Sequence, residues 1–225
     1  MDIFECSKML EYLFCIIGFV VSFLISFACV TRVNHQKTTK RNIVVLFSEE
    51  DESNQSVIAA VKYLHSNNYY SISTNSVLTE TILESKQVPA SLFYRDELRD
   101  GVTSYLKDSE GNMISPRIYL ERAKVESRQR DPNLMIYKVC ELMMSKSHSK
   151  FVITGCQYKN ELEVIKKLFR DDYVNIVWIE NVKAVPVSCT LNLNVDKIKE
   201  SDCDHHFIAK EDSFNILKSQ IENLI

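Results

Sequence analysis

The feature that most constrains this chain is "YLFCIIGFVVSFLISFACVT", Tyr12 to Thr31, a run of twenty residues without a charge. At about 1.5 Å rise per residue, a helix of that length spans about the 30 Å hydrocarbon core of a bilayer. Twelve of the twenty are Leu, Ile, Phe or Val. At roughly −0.3 to −0.6 kcal/mol each, such residues favour insertion by about 4 to 7 kcal/mol in sum. A buried soluble helix is rarely apolar on every side for so long. A cleaved signal peptide is the rival reading, but it starts basic and has a shorter apolar run, whereas this start holds Asp2, Glu5 and Glu11 against Lys8. Arg32, Lys37, Lys40 and Arg41 follow the run, so the positive-inside rule places the remainder in the cytosol. The expected layout is a tail at 1–11, a single transmembrane helix at 12–31, a basic linker at 32–41 and an α/β domain at 42–225.

Past the linker the pattern alternates between short apolar runs and helical periodicity. "NIVVLF", Asn42 to Phe47, reads as a buried strand, and Ser56 to Ser66 repeats apolar residues at helical spacing through Val57, Ala60, Val61 and Leu64. Tyr69 to Ser73 is a second expected strand, entered by an Asn67-Asn68 turn, with a helix near Val77 to Ser85. Helices are expected from Ser91 to Leu106, from Arg117 to Arg128 after a Gly111 to Pro116 break, and from Asn133 to Ser145. "KFVITG" from Lys150, "VNIVWIE" from Val174 and "HHFIAK" from His205 read as strands. Asn160 to Arg170 and Ser213 to Ile225 read as helices. Such alternation predicts a parallel sheet with helices on both faces.

From Asn42 onward there are 22 basic and 27 acidic residues, a formal charge of −5. That balance gives no basic footprint for nucleic acid. The seven cysteines form no CxxC pair and no zinc-type spacing, so they read as scattered reduced thiols. His205 and His206 beside Cys203 and Asp204 carry ligand-type atoms, but adjacent ligands rarely converge on one ion. No metal site is expected.

The strand at Asn42 followed by a loop and a helix is the layout that cradles a nucleotide phosphate in the pattern GxxxxGK(S/T). There, glycines free backbone N–H groups, the lysine reaches the outer phosphates and the hydroxyl holds Mg²⁺. Laid on this chain the eight positions are Glu49, Glu50, Asp51, Glu52, Ser53, Asn54, Gln55 and Ser56. Only the final hydroxyl matches. One carboxylate about 6 Å from a phosphate charge is repelled by roughly 3 kcal/mol at an effective dielectric of 20, before salt screens it. A helix terminus returns only about 0.3 to 1 kcal/mol. The stretch therefore reads as a degenerate phosphate loop, a solvated acidic turn that favours the helix start.

From residue 41 to 225 the chain resembles the animal-type phosphomevalonate kinases and the viral and phage deoxynucleoside monophosphate kinases. "IVVLFS" with its loop looks like their first strand and phosphate loop. "FYRDELRDGV", Phe93 to Val102, and "SRQRDPNLMIYKVCE", Ser127 to Glu141, resemble their helical substrate region. "FVITGCQYKNELEVIKKLF" is similar to the strand followed by Asp-x-Arg and Asn-Glu; Asn160 and Glu161 match, while Gly155 and Gln157 stand at the Asp and Arg positions. "VDKIKESDCDHHFIAK" and the final "ENLI" resemble the closing segment. The resemblance implies a P-loop nucleoside-monophosphate-kinase-like fold.

The departures bear on activity, because phosphoryl transfer needs cations or preorganised dipoles at the developing charge. The loop lysine is Gln55, the strand-end arginine is Gln157, and the lid region Asn181 to Asp196 has Lys183 as its one cation. Arg95, Arg99, Arg117, Arg128 and Arg130 remain as candidate anion contacts in the substrate region, or as ordinary surface residues. Trp178 reads as core and Cys156 as an inert thiol. The leading expectation is a membrane-anchored, catalytically inactive kinase-like module with an unidentified protein partner and no cofactor. One alternative is an active small-molecule or deoxynucleotide kinase that uses ATP and Mg²⁺ and works through Arg99 and Arg130. The other is a membrane-assembly protein in which the apolar run is the working part.

Overall fold

β1 (Asn42–Phe47) is buried along nearly its whole length, and it sits at the centre of a five-stranded, wholly parallel sheet. A strand covered on both faces must be apolar at successive positions. The computed structural model describes residues 40–48, 54–181, 197–209 and 214–225. The apolar run at 12–31, the loop residues Glu49 to Ser53, and the lid segment at 182–196 with Lys183 lie outside the described residues. Among those described, no helix is long and apolar enough to cross a membrane.

The strands are β1, β2 (Tyr70–Ser73), β5 (Lys150–Thr154), β6 (Tyr173–Asn181) and β7 (His205–Ala209), in the order β2-β5-β1-β6-β7. Asn42 lies opposite Lys150 on one side and Tyr173 on the other. Helices cover both faces, as the alternation predicts. On one face Val57, Ala60 and Leu64 of α1 (Gln55–Ser66), with Leu217 and Ile221 of α8 (Phe214–Glu222), pack on Val44, Val152 and Val177. On the other, Val139 and Met143 of α6 (Leu134–Ser145), with Leu162 and Ile165 of α7 (Lys159–Leu168), pack on Ile43, Val45 and Ile153. Each such buried aliphatic side chain contributes about 1.5 to 3 kcal/mol relative to exposure. Trp178 is core, its ring centroid 4.8 Å from that of Phe47.

A third apolar cluster lies outside the main sheet. Leu78 and Ile82 of α2 (Thr74–Ser85) meet Phe93, Leu106, Ile114 and Leu120. Here the expected helix from Ser91 to Leu106 is corrected. The chain makes two short helices, α3 (Ser91–Tyr94) and α4 (Asp96–Arg99), then the strand β3 (Thr103–Lys107), paired antiparallel with β4 (Met113–Ile114). Arg95 between the helices is extended at φ −104° and ψ 120°. Gly101 follows, and "TSYLK" has the β-branched, alternating composition that suits a half-buried strand. α5 (Pro116–Arg130) then starts on Ser115, whose side chain accepts from the Ile118 N–H, with Pro116 in the first helical turn.

Candidate functional site

β1 and β5 are neighbours, yet the chain leaves β1 toward β2 and leaves β5 toward β6, with α1 and α7 on opposite faces. In open parallel sheets this reversal opens a crevice at the carboxyl ends of the strands, where ligands bind. At the ends of both β1 and β5, described side chains bond to the backbone of the turns.

At the end of β1 the buried Asn54 bridges the two sides of the loop. Its Nδ2 donates to Ser48 Oγ at 2.8 Å, and its Oδ1 accepts from the Ser56 N–H at 2.8 Å. Asn54 is thus the N-cap of α1 and uses one of the amides that an anion would need. Gln55 is exposed on the first turn and Ser56 is half-buried. Of the expected phosphate-loop positions, these three are described; Glu49, Glu50, Asp51, Glu52 and Ser53 are not.

At the end of β5, Gly155 turns the chain with φ 79°, a left-handed conformation that costs glycine nothing. Its carbonyl accepts from Thr74 Oγ1 at 2.8 Å. A cleft of about 100 Å³ opens beside this turn, between the start of α2 and the last turns of α5. Its polar lining includes Glu121, Lys124, Ser127 and Arg128 of α5 together with Glu161 and Lys197. Positions 121, 124 and 128 share one helix face at i, i+3 and i+7 spacing, a sequence signal that could have marked this wall.

Arg128 organises the cleft. Its Nη1 donates to Glu161 Oε1 at 2.9 Å and to the Pro132 carbonyl at 3.3 Å, and its Nη2 to Asn160 Oδ1 at 3.3 Å. The guanidinium lies 3.4 Å from the centroid of the Tyr158 ring. Glu161 Oε2 accepts from the backbone N–H groups of Gln157 at 2.7 Å and Tyr158 at 3.1 Å. Burial pushes the Glu161 carboxyl above its ordinary range, against those hydrogen bonds and the Arg128 charge. Arg128 Nε and Ser127 Oγ are buried and find no partner among the described residues.

The other arginines lie elsewhere. Arg117 is bound through both side-chain oxygens of Asp100, Arg95 and Arg130 are exposed, and Arg99 is half-exposed. Neither Arg99 nor Arg130 is among the residues that line the cleft. Lys124 is drawn to Glu121 at 2.9 Å. Among the described residues the lining holds no histidine or cysteine, and its acid–base groups are Glu121, Asp131 and Glu161 with Lys124, Lys197 and Tyr158. Cys156 is buried. His206, at the start of β7, places Nε2 3.0 Å from Glu180 and Nδ1 2.8 Å from Glu200. The two carboxylates lie on opposite ring nitrogens and do not converge on one point. No metal-type cluster of three such groups occurs among the described residues.

No family model matches this chain, and no curated protein matches its sequence. Among solved structures, the dephospho-CoA kinase from Campylobacter jejuni is similar at 11% identity and a TM-score of 0.46, over 81% of this chain and 96% of that one.

Proposed function

We propose that this chain is a membrane-anchored, kinase-like α/β protein that has lost nucleotide chemistry and serves as an interaction or scaffold module. The observation that carries this reading is the Asn54 bridge. Where a phosphate cradle has a glycine and open amides, the Asn54 side chain joins Ser48 to the first turn of α1. The strand-end position that carries an arginine in the resembled kinases is Gln157, and its backbone N–H is given to Glu161. The acids from Glu49 to Glu52 oppose a triphosphate further. The anchor in this reading is Tyr12 to Thr31, with the domain on the cytosolic side.

The test is a melt of the full chain in lipid nanodiscs with ATP and Mg²⁺. A nucleotide present at about 100 times its Kd adds about 2.7 kcal/mol, a rise of roughly 5 to 10 °C for a domain of this size. An unchanged Tm is expected; a rise of that order overturns the reading. Arg128 Nε and Ser127 Oγ, buried without a partner among the described residues, favour a second reading, a small-molecule or deoxynucleotide kinase with displaced cations. ATP turnover with phosphomevalonate or a deoxynucleoside monophosphate would establish it, and its absence across that panel would remove it.

A further inference from the structure

Parallel strands bring all their starts to one edge, and here that edge collects cations. Lys40 precedes β1, Lys146 and Lys150 lead into β5, and Lys167 ends α7, which runs back from the opposite edge. None of the four makes an ion pair with a described carboxylate. Several carboxylates close to this edge are already engaged. Asp172 accepts from the Arg41 N–H at 2.7 Å and pairs with its guanidinium at 3.5 Å, and Asp171 pairs with Arg170 at 3.6 Å. Asp204 faces Lys166 at 3.7 Å, while Glu222 is held by Tyr63 and Lys218. Glu141 and Glu163 lie about a turn further back along the helices that end near Lys146 and Lys167, so among the described residues the edge itself carries a net positive charge although the domain as a whole is acidic.

Aromatic rings underlie three of these cations. Lys40 lies 5.2 Å from the Tyr173 ring centroid, Lys146 5.5 Å from that of Tyr70 and Lys150 5.3 Å from that of Tyr69. Tyr173 is 59% exposed and Leu168 45%, so two large apolar side chains stand open among the lysines. Lysines, a tyrosine and an aliphatic side chain on one face match the chemistry of an anionic bilayer surface, where ammonium groups meet headgroups and rings sit at the interface. The chain also enters the domain at this edge. Eight residues, 32 to 39, lie between Thr31 and Lys40, so nine Cα steps reach at most about 32 Å when fully extended.

We propose that this edge, carried by Lys40, Lys146, Lys150 and Lys167, with Tyr173 and Leu168 between them, is a membrane-apposed face that binds anionic lipid headgroups. The proposal rests on the reading of Tyr12 to Thr31 as a span. The experiment is hydrogen exchange on the full chain in nanodiscs of phosphatidylcholine, with and without phosphatidylserine. Amides of 144–150 and 166–173 are expected to exchange roughly threefold or more slowly with phosphatidylserine, an effect that fades at high salt. Combined Lys40→Glu, Lys146→Glu and Lys167→Glu, with an unchanged melt, is expected to abolish that difference. Equal exchange in both lipids while the chain stays in the disc overturns the proposal and leaves the anchor standing. Lipid-dependent protection that survives charge reversal also overturns it. So does protection that follows protein concentration in phosphatidylcholine alone, which marks a second copy as the occupant. A chain that is washed out of the discs overturns the anchor reading beneath it.

Discussion

Arg128 Nη1 and Glu161 Oε1 lie 2.9 Å apart with side chains only 10% and 8% exposed, and the pair ties the end of α5 to the first turn of α7. Its partners are separated by 33 residues, so the contact closes a long stretch of chain over the end of β5. Among the described residues, the Glu161 carboxylate accepts hydrogen bonds from Arg128 and from the Gln157 and Tyr158 backbone. The pair therefore also fixes the turn at Gln157 and Tyr158 that follows β5.

Removing one member leaves the other charge buried. Glu161→Ala strands Arg128 and deprives two backbone N–H groups of their acceptor, and is expected to cost about 3 to 5 kcal/mol. Replacing both at once, Arg128→Met with Glu161→Leu, removes the desolvation penalty as well, so the double variant is expected to be more stable than Glu161→Ala. Urea melts of the three proteins check this order. A double variant weaker than the single one would show that Arg128 contributes more through Pro132, Asn160 and Tyr158 than its unpaired charge costs.

Asn54→Ala removes the cap of α1 and the partner of Ser48 Oγ in one step. A lost cap costs about 0.5 to 2 kcal/mol, and a drop in Tm at that scale is expected. The variant also tests the closed-loop reading, because it frees the Ser56 N–H without adding a cation. ATP with Mg²⁺ is expected to leave its melt unchanged.

The three central strands were legible because burial on both faces demands unbroken apolar runs, which "NIVVLF", "KFVIT" and "VNIVWIE" supply. The hairpin of β3 and β4 was not. "TSYLK" is short, and its fate is decided by Leu106 and Ile114 packing on Leu120 of α5, a contact that periodicity within Ser91 to Leu106 does not register. The cleft was legible only in part. Glu161 drew notice through Asn160-Glu161 and Arg128 as one of five arginines, but their pairing is a tertiary fact. Lys124, Ser127, Tyr158 and Lys197 carried no signal stronger than helix-face spacing.

Cys203 tests the reading of the cysteines. Burial, reinforced by the nearby charges of Asp202 and Asp204, pushes its thiol up to about 11, and Cys140 is pushed up to about 12 by burial alone. The thiolate is the nucleophile, so at pH 8 Cys203 is expected to alkylate with iodoacetamide at least about tenfold more slowly than an unhindered thiol. Cys140, fully buried, is expected to react only on unfolding. Peptide mass mapping over a time course reads both rates. Rapid labelling of Cys203 in the folded protein would show an activated thiol and reopen a chemical role for the segment from Ser201 to Asp204.

Asp108 gives the hairpin a pH dependence whose sign is fixed by its contacts. Its Oδ1 accepts from the N–H groups of Glu110 at 3.0 Å and Asn112 at 2.8 Å, and its Oδ2 lies 3.2 Å from Arg122 on α5. Loss of hydration works against the charge, but the hydrogen bonds from Asn112, Arg122 and Glu110 outweigh it and hold the carboxyl below 3.8. A carboxyl lowered in the folded state adds stability that is present above its unfolded value and is lost as the pH falls through the folded one. Asp108→Asn removes that contribution, so the variant is expected to be weaker than the parent at pH 7 and to converge with it well below pH 3.8. The raised carboxyl of Glu161 contributes with the opposite sign, since the stability it adds is lost as the pH rises through its folded value. It is common to both proteins and cancels in the difference. Paired urea melts from pH 7 down the acid limb measure the gap; a gap that stays constant would mean that the turn is held by shape and not by the Asp108 charge.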